Sequence, residues 1–300
     1  MERRSVSTYL ISSGCIVGLY QIALVVRLDI EAEKPKSVLL FSKNGNSHRF
    51  MLGNDFYVDS LINENNIYIL GKSGHIISFS LDNKNSPDEI AQSKVEWRIN
   101  DADEFGDLIR IRKIGDDLFC GGQCGQIYRL VSNTWERHDC GFRDYESPDF
   151  EDIGGEDKDD FYGVCLAGET YHFSKGQWKR IDVPTNENLL CIQHIQNQSV
   201  CIAGYGGLVM TGNDDIWRLI GHSNEKNYWD LALLEEKIFF AHGKGIDYMK
   251  NEKITAVEFN IDQKLTFHRL ASYHNQLWSF GEKHVLFLED GQWNIFEPDL

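Results

Sequence analysis

The residues that could carry out chemistry in this 300-residue chain do not have the spacing of a familiar catalytic motif. Residues 71–74 read Gly-Lys-Ser-Gly, but Asn66 occupies the position where a phosphate-binding loop requires its first glycine. The ten histidines include no His-Glu-x-x-His pair, and no Gly-x-Ser-x-Gly turn presents a serine nucleophile. The sequence therefore predicts no catalytic residue and no cofactor.

The seven cysteines also lack the pattern of a metal site or a disulfide framework. There is no Cys-x-x-Cys pair, and Cys124, His138 and Cys140 form the one group that could meet on one face. The carboxylates within residues 157–160 lack the spacing of an EF-hand calcium loop. An odd number of irregularly spaced cysteines is typical of reduced thiols, so we expect no bound metal and a cytoplasmic location.

The charge of the chain restricts the partners that it can have. It contains 46 acidic and 30 basic residues, which gives a formal net charge of −16 at pH 7. Nucleic acids and anionic membranes present phosphate groups that a protein must neutralise with lysine and arginine, so both are disfavoured as partners. The composition favours a basic protein as the partner, and we expect the chain to be a monomer when it is free.

The acidic residues are concentrated in two segments, residues 101–107 and 144–160. Aromatic side chains are interleaved with these carboxylates: Phe105, Phe142, Tyr145 and Phe150. Acidic loops are often only solvated, but charge steers an encounter and buried rings hold a complex, so the pattern also fits a protein-binding surface. The predicted partner-binding residues are Asp101, Asp103, Glu104, Phe105, Asp107, Phe142, Asp144, Tyr145, Glu146 and Asp149.

The elements that must position these loops belong to a repeated unit of about 40 residues. Trp135 of one copy corresponds to Trp178, 43 residues later, and to Trp217 after a further 39 residues. The positions that precede the third strand of each unit are predicted to be Ala23, Gly74, Gly125, Gly168, Gly207, Gly245 and His284. Seven units of four short strands, with almost no helical periodicity, indicate an all-β, seven-bladed β-propeller of four-stranded antiparallel blades.

We expect one propeller domain over residues 1–300, because 42% hydrophobic and 12% aromatic residues can form a large core. The predicted blades are roughly 5–50, 55–100, 107–139, 149–182, 188–220, 227–259 and 265–297. A blade cannot bury its own faces, so it must stack on its neighbours. A tryptophan that opens the outer strand would cover the seam between sheets, and glycine before the third strand would permit a positive φ.

One unit carries a fuller motif. Gly121 and Gly122, Tyr128 six residues later and Trp135 seven beyond that resemble a kelch-type blade, whereas other units keep only the aromatic residue or the tryptophan. No unit has the Gly-His and Trp-Asp pair of WD repeats. The resemblance implies a propeller, and propellers serve mostly as binding platforms, although some are hydrolases or lyases.

The four-strand pattern also predicts where the acidic segments emerge. Residues 101–107 and 139–149 both join an outer strand to the next inner strand, so they should be neighbours on one face, whereas residues 156–160 should lie on the opposite rim. The last unit already has its own outer strand, and residues 5–11 resemble the inner strand of the first unit. Packing between the first and last sheets would then close the ring without a shared strand.

Residues 8–26 form a mostly apolar segment that follows two arginines. Its length just reaches that of a membrane-spanning helix, but its Val, Ile and Tyr content and the Ser-Ser-Gly turn at residues 12–14 favour a buried β-hairpin. We therefore expect two core strands in this segment and no membrane association.

These observations favour a non-catalytic protein-binding propeller. A free-standing acidic domain of this kind suggests an immunity or inhibitor-type protein that neutralises a basic toxin or enzyme through its acidic, aromatic-containing face. Two alternatives stay open: a hydrolase or lyase that acts at the propeller channel, and a scaffold subunit of a larger complex.

Overall fold

The computed structural model describes residues 9–28, 36–43, 46–53, 55–82, 86–142, 144, 146–195, 199–221, 225–261 and 263–297. Their strands form seven four-stranded sheets, and each sheet consists of four consecutive strands paired antiparallel. The predicted all-β, seven-bladed propeller is confirmed.

The strand boundaries are as follows for the first four sheets. Sheet 1 contains β1 (Tyr9–Gly18), β2 (Gln21–Leu28), β3 (Lys36–Lys43) and β4 (Asn46–Gly53). Sheet 2 contains β5 (Tyr57–Asn63), β6 (Asn66–Gly71), β7 (His75–Ser80) and β8 (Val95–Arg98). Sheet 3 contains β9 (Leu108–Ile114), β10 (Asp117–Gly122), β11 (Ile127–Val131) and β12 (Thr134–Arg137). Sheet 4 contains β13 (Phe150–Asp157), β14 (Asp160–Cys165), β15 (Thr170–Ser174) and β16 (Gln177–Ile181).

The other three sheets follow in chain order. Sheet 5 contains β17 (Leu189–His194), β18 (Val200–Gly204), β19 (Val209–Asn213) and β20 (Ile216–Gly221). Sheet 6 contains β21 (Tyr228–Leu234), β22 (Lys237–His242), β23 (Gly245–Lys250) and β24 (Lys253–Ala256). Sheet 7 contains β25 (Arg269–Tyr273), β26 (Gln276–Phe280), β27 (Val285–Glu289) and β28 (Gln292–Phe296).

The sheets are arranged as a ring around a central channel. The first strand of each sheet contacts the first strand of the next sheet, and β25 contacts β1. Within the described residues there is one hydrophobic cluster at each of the seven seams between neighbouring sheets. The core is therefore divided among the seams, as expected for modules that bury their faces only by stacking.

The predicted tryptophan positions are confirmed by their placement in the fourth strands. Trp97, Trp135, Trp178, Trp217 and Trp293 all lie in the outer strand of their sheets. Trp135 belongs to the cluster shared by sheets 2 and 3, and Trp178 packs on the cluster shared by sheets 3 and 4. The large rings thus pack at four of the seven seams, those between sheets 2 and 3, 3 and 4, 4 and 5, and 6 and 7.

Two kinds of glycine explain the motif in sheet 3. Gly125, just before β11, has φ +68°, and Gly168 before β15 has φ +74°, a conformation that residues with a Cβ rarely adopt. Gly122 has a different role, because a Cβ there would lie 2.2 Å from the backbone oxygen of Asp107. Within the glycine pair that resembles a kelch motif, Gly122 therefore lets the incoming connection pass close to the end of β10.

The first sheet differs from its prediction. The buried hairpin is present, but β1 runs through the Ser12–Gly14 segment with a register shift, and the turn lies at Leu19 and Tyr20. Ala23 lies within the second strand, so it is not equivalent to the glycines that precede third strands. The inner strand predicted from residue 5 is described from Tyr9 onward, and residues 1–8 lie outside the described residues.

The ring closes between sheets 7 and 1 without a shared strand, as predicted. The cluster at this seam joins Ile16 and Leu24 of sheet 1 to Trp278 and Phe280 of sheet 7. Among the described residues, one backbone bond crosses the seam, from the Ile11 N–H to the oxygen of Glu282 at 2.8 Å. Side-chain packing is thus the main interaction that holds the ring shut.

The insertion between β7 and β8 contains a short helix, α1 (Pro87–Gln92). Ser86 and Glu89 form a capping box, in which each side chain accepts a hydrogen bond from the other residue's backbone N–H. Ile90 anchors the helix by packing into the cluster between sheets 1 and 2. Among the described residues, no helix is long and apolar enough to span a bilayer.

Candidate functional site

The topology separates the connections of the ring onto two faces. Connections from a fourth strand to the next first strand, and turns from a second to a third strand, emerge on one face, which we call the loop face. The remaining turns emerge on the opposite face. The two acidic connections, residues 99–107 and 138–149, both lie on the loop face, and the turn after β13 lies on the opposite face, as predicted.

The first acidic connection is held by hydrogen bonds and ion pairs. Asp101 accepts a hydrogen bond from the Tyr128 hydroxyl at 3.1 Å. Asp103 pairs with Arg98 at 2.9 Å, and Asp107 pairs with Lys72 at 2.6 Å, both near the surface. Exposed pairs of this kind contribute little to stability, so these carboxylates can exchange partners at small cost.

The second acidic connection is organised by its own side chains. The Asp144 carboxylate accepts hydrogen bonds from the Ser147 hydroxyl at 2.9 Å and from the Glu146 N–H at 3.0 Å. Asp149 accepts a hydrogen bond from the Cys124 N–H at 2.8 Å. Asp144, Glu146 and Asp149 are all exposed, so this connection presents three carboxylates to solvent.

The turn of residues 123–126 lies between the two acidic connections and contacts both. The Gln123 side chain accepts a hydrogen bond from the Asp107 N–H at 2.8 Å, on the side of the first connection. The Gly125 N–H donates to the oxygen of Pro148 at 2.7 Å, on the side of the second connection. The two connections are therefore neighbours across this turn, and we call them together the acidic surface.

The predicted aromatic residues are placed unequally. Phe142 packs on the core between sheets 3 and 4, with its ring centroid 5.5 Å from Tyr171 and 5.9 Å from Trp178. Phe150 is 1% exposed, so its ring belongs to the core and is not available to a partner. Phe105 is half-buried in the first connection, and Tyr145 lies outside the described residues. Partner binding by the acidic surface stays a prediction.

The residues considered for metal binding do not meet in the structure. Among the described residues, no group of three or more His, Cys, Asp and Glu side chains has the arrangement of a metal site. His138 packs among aromatic rings, 5.4 Å from Phe119 and 5.0 Å from Phe173. Burial raises the pKa of the Cys124 and Cys140 thiols, which disfavours the thiolate form that binds zinc.

The central channel is lined by a set of residues that were not predicted from the sequence. Each first strand has one residue at an equivalent position, and in six sheets it follows a shift in strand register. In chain order these channel positions are Ser13, Asp59, Arg110, Asp152, Cys191, Asp230 and Arg269. Five of the seven are ionisable as Asp or Arg, so charged groups are concentrated at the axis of the ring.

Each of the three aspartates accepts a hydrogen bond from the backbone of the following sheet, so the bonds join sheets 2 and 3, 4 and 5, and 6 and 7. The Ile111 N–H donates to Asp59 at 3.1 Å, the Ile192 N–H to Asp152 at 3.2 Å and the Leu270 N–H to Asp230 at 3.0 Å. Each bond ties the first strand of an even-numbered sheet to the sheet that follows. A buried carboxylate that accepts backbone N–H bonds is partly compensated for its desolvation.

Arg112 links two of these carboxylates. Its guanidinium lies 2.9 Å from Asp59 and 2.9 Å from Asp152, which are 3% and 1% exposed. Burial would lower the pKa of Arg112, but the three nearby aspartates raise it above its ordinary value, so this side chain stays charged. The channel is thus held by a network in which Asp59 and Asp152 are both engaged by a cation and by a backbone N–H.

Asp230 is the least compensated carboxylate of the network. It lines a channel cavity of about 290 Å³ together with Arg112 and Arg269. Burial raises the pKa of Asp230 to about 6, although Arg110, Arg112 and the Leu270 N–H favour its charged form. The Asp230 carboxyl group therefore binds a proton more tightly in the folded protein than in the unfolded chain.

Stability should consequently fall as the pH rises through the pKa of Asp230, and the Asp230→Asn variant should lack this loss. The free energy of unfolding of the variant minus that of the native chain should therefore increase by about 2–3 kcal/mol from pH 4 to pH 7. Urea unfolding of both proteins at several pH values measures the difference.

Asp215→Asn is the control for this pH effect. Asp215 is 81% exposed, and its nearest charged partner is Lys179 at 3.9 Å, a group that stays protonated over this range. The difference in the free energy of unfolding between this variant and the native chain should be constant from pH 5 to pH 7. A difference for Asp230→Asn that is equally flat would contradict the prediction.

A local pattern in the sequence could have revealed the channel positions. The three aspartates occur in the triplets Tyr57-Val58-Asp59, Phe150-Glu151-Asp152 and Tyr228-Trp229-Asp230, always at the start of a first strand. An aromatic residue buried in the seam, followed two positions later by a carboxylate, recurs in every second sheet. The recurring glycines and tryptophans that define the repeat belong to the later strands, so they do not reveal these positions in the first strands.

The comparisons with known proteins agree with this fold. No protein-family model matches the chain. A protein of Pseudomonas aeruginosa described as "Immune protein Tsi7" is 24% identical over 194 residues, and the match spans 63% of this chain and 63% of that protein. The chain thus matches less than two thirds of the length of this curated relative.

The structural neighbours are more remote in sequence but span nearly all of the ring. The structure "YCF48 bound to D1 peptide" has a TM-score of 0.67 and 13% identity, covering 94% of this chain and 93% of that chain. Sqt1 of Saccharomyces cerevisiae has a TM-score of 0.65 and 12% identity, covering 96% and 85%. The WD40 propeller domain of Doa1 has a TM-score of 0.67 and 8% identity, covering 94% and 92%. At these identities the likeness establishes the architecture alone: the chain is a seven-bladed β-propeller.

Proposed function

We propose that this chain is a non-catalytic binding propeller of the immunity type, which neutralises a basic toxin or enzyme by covering it with the loop face. The observation that carries the proposal is the acidic surface, in which two carboxylate-rich connections lie side by side around the turn of residues 123–126. The similarity of the chain to a protein described as an immune protein supports the same function.

The physical basis is electrostatic attraction over a fixed surface. Asp101 and Asp149 each fasten one connection to the ring by a hydrogen bond, so the segments that carry the carboxylates are held in place before a partner arrives. A preorganised negative surface speeds the approach of a basic protein and excludes acidic ones. Phe105, half-buried between Asp103 and Asp107, supplies an apolar contact within this surface.

The test compares charge variants on the two faces. In the acidic-surface variant, Asp103→Asn, Glu104→Gln and Glu146→Gln are combined, and the control combines Asp215→Asn, Glu236→Gln and Asp290→Asn in turns of the opposite face. We expect the acidic-surface variant to associate with the basic partner from the native host at least tenfold more slowly, because charge acts mainly on the association rate. The control should change this rate by less than twofold.

The partner's own activity decides whether binding is neutralising. The native chain should abolish the toxic or enzymatic activity of that basic partner at a ratio of one to one, and the acidic-surface variant should require a large excess. Equal inhibition by the native chain and the acidic-surface variant would refute the proposed surface. Recovery of no basic partner would refute the proposed function.

Catalysis at the channel is a second candidate, favoured by the raised pKa of Asp230 beside a cavity. Against it, Asp59 and Asp152 already interact with Arg112 and with backbone N–H groups. The two functions predict different behaviour of Asp230→Asn. A binding protein should neutralise its partner equally well with this substitution, whereas an enzyme that uses Asp230 as a general acid or base should lose its activity.

A further inference from the structure

A cavity of about 680 Å³ opens on the loop face at the mouth of the channel. It lies where the first strands begin, and residues from several sheets line it. Although the whole chain carries a net charge of −16, the lining of this cavity includes four cationic side chains: Arg27, Lys72, Arg110 and Arg269. A local excess of cations in an acidic protein indicates a site with its own ligand chemistry.

Two of the four cations have a carboxylate partner within the chain, and two do not. Lys72 pairs with Asp107, as described above, and Nε of Arg110 lies 3.9 Å from Oδ1 of Asp152. Arg269 donates to the backbone oxygen of Val58 at 3.4 Å, and Arg27 lies 5.9 Å from the Phe56 ring. Within the part of the chain that the structure describes, neither Arg27 nor Arg269 forms an ion pair with a carboxylate.

Arg110 provides an independent indication of a ligand. It is 5% exposed and donates to the backbone oxygens of Glu151 at 3.3 Å and Trp229 at 3.2 Å. Its Nη1 atom is buried and has no acceptor among the described residues, and the same holds for Nε of Arg27. A buried donor without an acceptor is costly, so the structure contains two guanidinium groups that would gain from an added anion.

We propose that this cavity binds a carboxylate group, held by Arg27, Arg110 and Arg269. The planar guanidinium matches the two oxygens of a carboxylate, and Arg110, which has the unpaired Nη1, lines the cavity. Burial lowers the pKa of Arg27, and an anion beside it would offset this cost.

The other lining residues favour a singly charged carboxylate on an apolar body. Glu151 and Glu282 also line the cavity, and their charges oppose a dianion such as phosphate. Trp229 and Tyr205 form an edge-to-face pair in its wall, with ring centroids 5.9 Å apart. These rings would pack against the apolar part of the ligand, as in most small-molecule sites.

The carboxylate could belong to a free organic acid or to an acidic side chain of a protein partner, and the test distinguishes the two. Isothermal titration of the native chain compares benzoate with uncharged benzamide, and an acetylated Ala-Glu-Ala amide with its Gln analogue. We expect the charged member of each pair to bind at least tenfold more tightly than its neutral counterpart. Whichever of benzoate and the Glu peptide binds more tightly identifies the source of the carboxylate.

Variants locate the site. Arg27→Gln and Arg269→Gln should each weaken benzoate binding at least fivefold, whereas Arg49→Gln, at an exposed position of β4, should change it by less than twofold. The comparison of charged with neutral ligands on the native chain needs no variant, so the proposal stays testable even if a substitution impairs folding. Equal binding of the charged and the neutral member in both ligand pairs, or unchanged binding in both site variants, would overturn it. Asp107 of the acidic surface also lines the cavity, but the three arginines proposed to hold the carboxylate lie outside that surface, so failure here leaves the proposed function unaffected.

Discussion

Replacement of Asp152 by alanine is expected to lower the free energy of unfolding by about 3–5 kcal/mol, as is usual when one member of a buried ion pair is removed. Asp152 is 1% exposed, binds Arg112 at 2.9 Å and accepts the Ile192 N–H of the next sheet at 3.2 Å. The substitution would leave the Arg112 charge less compensated and a backbone donor without its acceptor. Urea unfolding followed by circular dichroism measures the loss.

Two further variants test the explanation for this loss. Asp152→Asn keeps an acceptor for the Ile192 N–H but removes the charge, so its cost should lie between zero and that of the alanine variant. Asp215→Ala removes a carboxylate that is 81% exposed and should change stability by less than about 0.5 kcal/mol. An Asp152→Ala variant as stable as Asp215→Ala would show that the channel network does not hold the sheets together.

Replacement of Trp278 by alanine is expected to destabilise the protein by about 3–5 kcal/mol and to loosen the ring at one seam. Trp278 is fully buried, packs at 5.0 Å between ring centroids on Phe287 and belongs to the cluster between sheets 7 and 1. Sheets 7 and 1 are not joined by a connection of the chain, unlike the sheets at the other six seams. Loss of the indole ring should therefore increase hydrogen exchange first in β1 and β25.

Phe240→Ala is the matched control for the seam. Phe240 is also fully buried and lies in the cluster between sheets 5 and 6. Its loss should cost a similar free energy, because cavity size governs both, but without faster exchange in β1 and β25. If Phe240→Ala accelerated exchange in those strands as much as Trp278→Ala did, the closing seam would be no weaker than the others.

The parts of the fold that were predictable are those in which the backbone or the seam dictates a residue type. A glycine with positive φ before the third strand and a tryptophan in the fourth strand recur at nearly fixed spacing, as at Gly125 and Trp135 or Gly168 and Trp178. The first sheet has neither feature, and its long strand β1 contains the serines that suggested a turn. Its strands were therefore assigned in the wrong register.

The candidate sites were predictable only where charge accumulates along the sequence. The acidic connections stand out because many carboxylates follow one another, and their placement on one face follows from the strand count. The channel positions were not predicted because each sheet contributes a single residue there, and the type of that residue changes from Ser13 to Asp59 to Arg110. The cationic cavity depends on side chains that come together only when the ring forms, such as Arg27 and Arg269.

The position of the closing seam also bears on the order in which the protein assembles. Six seams join sheets that are adjacent in the chain, so each can form as soon as its second sheet has been synthesised. The contact between Ile11 and Glu282 must wait for almost all of the chain, and its loop-closure entropy is larger by about 0.6 kcal/mol for each doubling of separation. The apolar flank of sheet 1 would therefore stay uncovered on the ribosome until the last sheet emerges, and a chaperone could recognise it during this interval.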